Sequence, residues 1–192
     1  MIMDLIQAIE IFAFVTGIAY VVLEILQKNA MWVLGLLTGV ACAFSFAVQR
    51  NWGMTGLNLY YIVMSVVGLV QWRKDGAEVA EGAIHLRPLP KKTALWSAVG
   101  FVAGSLALIA LFRALGDGMS SLDATATVLS IIATWWLTRS YIQQWMLWVV
   151  ANGLTAALCI GNGQYWMTAL YVAYIASAVY GYFHWKKKGV EI

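Results

Sequence analysis

The stretch Met54–Lys74, MTGLNLYYIVMSVVGLVQWRK, returns 113 residues later as Met167–Lys187, MTALYVAYIASAVYGYFHWKK. Met54 and Thr55 fall on Met167 and Thr168, Leu57 on Leu170, Tyr61 on Tyr174, Gly68 on Gly181, Trp72 on Trp185 and Lys74 on Lys187. Working outward at the same offset, Trp32 meets Trp145 and no gap is needed. Half of these eight matches are Trp, Tyr or Gly, which chance alignments of apolar sequence rarely supply. Two copies of one unit joined by a linker are the direct reading. Membrane transporters are commonly built this way, with the substrate site between the repeats near the membrane midplane.

Composition sets the medium. The chain has 192 residues, of which 62% are hydrophobic and 11% charged, and its mean hydropathy is +0.76. That leaves too little polar surface to cover a soluble globule. Seven apolar stretches approach the roughly 20 residues that cross a bilayer: Ala8–Leu26, Met31–Gln49, Gly53–Trp72, Ala94–Leu115, Ser120–Thr138, Gln144–Ile160 and Tyr165–Trp185. The first does not read as a cleavable signal, because Met1–Gln7 carries only Asp4 and Glu24 lies within the apolar run. With seven spans, Lys28, Arg73, Lys74, Arg87, Lys91, Lys92, Arg139 and Lys186–Lys188 share one face, and only Arg50 and Arg113 reach the other. The bias puts the N-terminus outside and the C-terminus in the cytoplasm of a cytoplasmic (inner) membrane. The net charge of +3 therefore reflects topology, not nucleic-acid binding. Cys42 and Cys159 both fall inside spans, where thiols act as small apolar groups and a disulfide is not expected.

The fold expected is an all-α integral membrane protein with seven transmembrane helices. Residues 1–74 form the first three-helix repeat, 75–93 a cytoplasmic loop, 94–119 linker helix 4, 120–188 the second repeat and 189–192 a cytoplasmic tail. An offset of four spans preserves direction, so the repeats are parallel and span 4 is the inverting linker, a three-plus-one-plus-three plan. Span 4 has few polar residues and reads as facing lipid or another subunit. The long connection, Arg73–Thr93, contains both prolines, Pro88 and Pro90.

In span 6, Trp145, Trp148, Asn152 and Thr155 project from one helical side; in span 3, Asn58, Tyr61, Ser65, Gly68 and Trp72 do so. An amide in hydrocarbon is costly without partners, so Asn58 and Asn152 should face the bundle interior. The candidate substrate-binding set is Trp148, Asn152, Trp145, Asn58, Tyr61, Tyr171, Tyr174 and Trp136, an aromatic slot for a flat polar or cationic heterocycle. Each has a plainer reading. Trp32, Trp72, Trp145 and Trp185 sit at span ends and read first as interfacial anchors. Gly35, Gly39, Gly68 and Gly181 read as close-packing positions, and Asn152 could be a helix–helix hydrogen bond. Tyr61 and Tyr174 could equally be symmetric packing residues.

Charges within the spans are few: Glu10 and Glu24 in span 1, with Arg113 and Asp123 near span ends. Glu24 could cap its span or pair with Lys28 four residues on. His85 and His184 have no second ligand at metal spacing, so no metal is expected. No cofactor is expected, and neither a phosphate-binding glycine loop nor a nucleophile–base pair is seen, which argues against an ATPase and against an enzyme.

Leu122–Trp148, LDATATVLSIIATWWLTRSYIQQWMLW, with Asn152 one turn beyond, resembles the PnuC family of bacterial vitamin-precursor transporters. Glu10, Val22–Glu24, Gly56–Tyr61 and Ala169–Lys188 extend the resemblance over the chain apart from the loop and span 4. It implies a fold related to the SWEET sugar transporters, a homotrimer, and facilitated diffusion of an unphosphorylated vitamin that a cytoplasmic kinase then traps. Nicotinamide riboside is the first substrate implied. Thiamine follows, because the N-x-YY and YGYFxWKK patterns are similar to those of thiamine-carrying members; riboflavin is third. The reading from outside the family is a non-transporting scaffold or receptor, which would have no use for a polar slot at mid-depth.

Overall fold

The computed structural model describes residues 2–114 and 121–192, without the side chains of residues 2–7 and of Glu10. The expectations on Glu10, on Leu115 and on Ser120 therefore fall outside the described residues. Seven helices run through the described chain: α1 (Ile2–Ile25), α2 (Ala30–Val48), α3 (Trp52–Gly76), α4 (Lys91–Ala114), α5 (Ser121–Thr138), α6 (Gln144–Gly161) and α7 (Tyr165–Lys188). Two three-residue strands are added, β1 (Ile84–Leu86) and β2 (Gly189–Glu191). The chain is an all-α, multi-pass membrane protein.

Of the helices, α2, α3, α4 and α6 are long and apolar enough to cross a membrane on length and composition alone. More polar is α5, but its hydroxyls turn back onto their own helix: Thr125 Oγ1 donates to Ser121 O (2.7 Å), Ser130 Oγ to Ala126 O (2.9 Å) and Thr134 Oγ1 to Ser130 O (2.8 Å). A hydroxyl satisfied within its own helix can sit in hydrocarbon.

Two units divide the chain, Met1–His85 with Ile192, and Leu86–Glu191. In the first, α2 packs between α1 and α3; in the second, α6 packs between α5 and α7, and α4 lies along α5. The helix-ending turns are built alike in both. In the first unit, Gln27 (φ 48°) and Arg50 (φ 59°) take the left-handed conformation. In the second, Ser140 (φ 56°) and Gly163 (φ 70°) do so, each 113 residues on. Each turn closes the same way: Lys28 N–H donates to Leu23 O, Asn51 to Phe46, Tyr141 to Trp136 and Gln164 to Cys159, at 2.8–3.1 Å. A second bond at 3.0 Å in each, from Gln27 N–H to Glu24 O, Arg50 to Ala47, Ser140 to Leu137 and Gly163 to Ile160, completes a double closure that satisfies the last carbonyls of these four helices.

The packing also corresponds. Trp32 lies across Gly68, where an added Cβ would collide with the indole, and meets Trp72 edge-on at 5.1 Å. Trp145 lies across Gly181, where a Cβ would come within 2.6 Å, and meets Trp185 edge-on at 5.3 Å. The expectation of interfacial anchors is thereby corrected: all four indoles are among the most fully buried side chains, because each glycine admits a whole ring into its groove. Exposed aromatics at helix starts are others: Trp52 opening α3, and Tyr165 and Trp166 opening α7, the last 92% exposed.

The long connection is shorter and more ordered than the sequence suggests. Helix α3 runs on to Gly76, and α4 starts at Lys91 directly after Pro90, whose carbonyl accepts from Ala94 N–H at 3.0 Å. Proline is well suited to a helix start, where its missing N–H is not needed. In the first unit His85 is buried: its N–H donates to Gln27 Oε1 (2.7 Å), its carbonyl accepts from Gln27 Nε2 (2.9 Å), and Nδ1 stands 4.0 Å from Asp75 Oδ2. Trp72 meets the imidazole edge-on. In the second unit, residues 189–191 of the expected cytoplasmic tail form β2, with Gly189 pressed on the Leu86 side chain.

Candidate functional site

In each unit the middle helix presents one face to both neighbours, and the two units use that face differently. On α2 the face holds Gly35 and Gly39. A Cβ on Gly35 would meet Tyr20 of α1 and Ser65 of α3 at 3.0 Å, and one on Gly39 would meet Ile62 at 3.0 Å. Thr38 Oγ1 donates to Thr16 Oγ1 at 2.8 Å beside them. This is helix packing through small residues. On α6 the same positions hold Trp148 and Asn152. Where the first unit has Tyr20 and Ser65, the second has Ala133 and Ala178, both buried, so the neighbours of α6 are trimmed where a large side chain projects.

Trp148 is half-buried, and its Nε1, shielded from solvent, has no acceptor among the described residues. Asn152 is half-buried, one turn on, and its amide has no protein partner among the described residues. Thr155 is satisfied by Ala151 O at 3.0 Å. On α7, Tyr171 and Tyr174 are half-buried and form an edge-to-face pair with centroids 6.0 Å apart. These four residues belong to one unit and supply aromatic faces, an indole donor and an amide.

Other expected members are committed elsewhere. Trp145 is 2% exposed and wedged on Gly181 under Trp185, so it supports the helix pair and leaves no open ring face. Trp136 is buried, donates from Nε1 to Ser97 Oγ of α4 at 3.1 Å, and meets Tyr141 edge-on. In the first unit Asn58 is 8% exposed and its Nδ2 donates to Met54 O at 2.9 Å, so the amide finds its partner in its own helix. Tyr61 is half-buried beside Tyr60. Glu24 is 4% exposed at the end of α1.

A groove of about 760 Å³ between α4 and α5 is walled by Trp96, Gly100, Gly104, Leu108, Val128 and Ile132, with polar groups only at its Lys92 end. Such a wall suits hydrocarbon better than a polar heterocycle, which needs several orienting groups. Among the described residues no three His, Cys, Asp or Glu side chains cluster as metal ligands.

The model of the nicotinamide mononucleotide transporter family matches residues 7–187. The chain belongs to that family. It is 32% identical to the nicotinamide riboside transporter PnuC of Neisseria mucosa over 185 residues, covering 91% of this chain and 70% of that protein. With PnuC of Escherichia coli K12 the identity is 25%, over 92% of this chain and 84% of the other. Among solved structures, the crystal structure of the vitamin B3 transporter PnuC superposes with a TM-score of 0.69 at 27% identity, over 97% of this chain and 88% of that one. Family membership makes the seven-helix chain a transporter protein, and the burial pattern tells which of its aromatics have been spent on packing.

Proposed function

We propose that this chain takes up nicotinamide riboside by facilitated diffusion, the vitamin being trapped afterwards by a cytoplasmic kinase. Relatives named for that substrate match over nine-tenths of the chain and support the reading. The observation that carries the site is Trp148: a half-buried indole whose donor has no acceptor among the described residues, on a face that the first unit fills with glycine. Its ring offers a stacking surface to the pyridinium, strengthened by cation–π attraction, and the Asn152 amide one turn away orients a hydroxyl or carboxamide. Tyr171 and Tyr174 add aromatic wall on α7. Trp145 and Trp136 act as positioning residues.

The proposed organisation is two parallel three-helix repeats, residues 1–74 and 120–188, with α4 as the inverting linker. The four matching turns and two matching tryptophan wedges support it. The proposed setting is a homotrimer in the bacterial inner membrane, N-terminus outside, on the strength of the basic-residue bias. Scarce intramembrane carboxylates favour uncoupled transport, since an ion-driven carrier needs a relay or an ion cage.

Reconstituted vesicles test the mechanism. Uptake should equilibrate unmodified nicotinamide riboside and become concentrative only with kinase and ATP enclosed. Concentrative uptake without kinase, collapsed by a protonophore, would overturn diffusion and make buried Glu24 the residue to examine.

A further inference from the structure

The first two turns of α6 hold an unusual concentration of unsatisfied polar atoms. Gln143 Oε1 just before the helix, both side-chain polar atoms of Gln144, Trp145 Nε1 and Trp148 Nε1 are all buried without a hydrogen-bond partner among the described residues. Buried polar groups in folded proteins are nearly always paired, so each exception calls for a cause. For Trp145 the first unit supplies one: Trp32 occupies the corresponding position with its Nε1 equally unpaired among the described residues, so the loss belongs to the tryptophan wedge. Gln144 has no such precedent. Its position in the first unit is held by Met31, and both side chains are 0% exposed. An unbranched apolar chain of the same length therefore fills this place in one unit, and packing does not demand an amide in the other.

Gln144 and Trp148 are four residues apart on α6 and thus neighbours on one helical face, with Asn152 the next step along it. A primary amide presents one donor edge and one acceptor side by side. It can close two hydrogen bonds at once with a partner that presents the complementary pair, as a carboxamide or an aminopyrimidine does. Stacking on Trp148 would hold a flat ring, and the exocyclic amide of that ring would be read by the group one turn nearer the start of α6.

We infer that Gln144 is a specificity-determining residue of the transport site, pairing through its amide with an adjacent donor–acceptor edge on the substrate's heterocycle. The inference rests on the vitamin-transport reading above and deepens it. The site built this way rejects the carboxylate analogue of the same ring, which lacks the donor and would leave a buried amide unpaired. Pairing specificity of this kind discriminates far more strongly than a change in apolar contact.

The test uses detergent-purified full-length protein and calorimetric titration with nicotinamide riboside, its nicotinic acid analogue and thiamine. Gln144→Met copies the first unit. It should keep or raise the melting temperature, while affinity for the preferred amide-bearing ligand falls roughly ten- to a hundredfold, the worth of one or two hydrogen bonds. Discrimination between amide and acid should collapse with it. The arms for the riboside and thiamine tell which heterocycle supplies the edge. Equal binding and equal discrimination by wild type and Gln144→Met would overturn this inference alone. A Gln144→Met protein melting far below wild type, with Gln144→Asn restoring its stability and not its affinity, would show that the amide holds the fold and also overturn it. Absence of binding by well-folded wild type to all three ligands would overturn the transport reading itself and this inference with it.

Discussion

Gly181→Ala adds one methyl group at the point where α7 receives Trp145. The new Cβ would lie 2.6–2.8 Å from three carbons of that indole, whereas carbon atoms rest about 3.5–4.0 Å apart. The ring must retreat by about 1 Å, and Trp185 blocks it edge-on with both rings buried. Overpacking of this kind costs about 1–3 kcal/mol. Replacing a helical glycine by alanine returns up to about 1 kcal/mol. The expected balance is a loss of about 1–2 kcal/mol, read as a lower melting temperature in detergent. Gly100→Ala, on α4 with nothing within 4 Å of its Cβ, reports the helix gain alone and should be neutral or stabilising. Because Trp145 stands three residues from Trp148, affinity should fall as well. Trp145→Phe should relieve the clash, so that the double variant is more stable than the two single losses added together. If Gly181→Ala melts no lower than Gly100→Ala, the wedge is not the close contact described.

Other outcomes follow from the same structure. Gly163→Ala meets open space but must hold φ at 70°, so it should cost about 1–2 kcal/mol, while Arg50→Gly at the corresponding turn should stabilise; paired thermal melts decide both. Gln27→Ala removes both bonds to the His85 backbone and should destabilise by about 1–3 kcal/mol, with faster proteolysis within residues 77–90 as the readout. A C-terminal fluorescent-protein fusion should glow in the cytoplasm, and a dark fusion that is active as a periplasmic phosphatase fusion would reverse the proposed orientation.

The helices were legible because hydropathy reports them directly: the expected Met31–Gln49, Ser120–Thr138 and Gln144–Ile160 differ from α2, α5 and α6 by a residue or two. Gly68 and Gly181 were readable as close-packing positions, since nothing but a neighbour's side chain explains a glycine repeated on a helix face. The facing of Trp32, Trp72, Trp145 and Trp185 was not legible. Position along a span gives depth, and the same depth suits a headgroup anchor or a buried wedge. The order of the connection was hidden because Asp75, His85 and Gln27 are distant in sequence and polar, and they become a buried cluster only when the α1–α2 turn reaches them. Gln144 escaped notice because a glutamine opening a span reads as an interfacial residue. The available signal was its alignment with Met31, which makes it the polar partner of an apolar core position. Asn58 and Asn152 looked alike in sequence, and only their hydrogen bonding separates the amide satisfied by Met54 from the amide with no partner among the described residues.

The site on α6 is tested most directly by calorimetric titration of nicotinamide riboside, thiamine and riboflavin into purified wild type, Trp148→Ala and Asn152→Leu, with size-exclusion profiles as the folding control. Wild type should bind nicotinamide riboside, and each substitution should weaken that binding by on the order of 1–3 kcal/mol, roughly ten- to a hundredfold, with the elution profile unchanged. Well-folded Trp148→Ala and Asn152→Leu proteins that keep wild-type affinity would contradict the account and remove the binding site from α6.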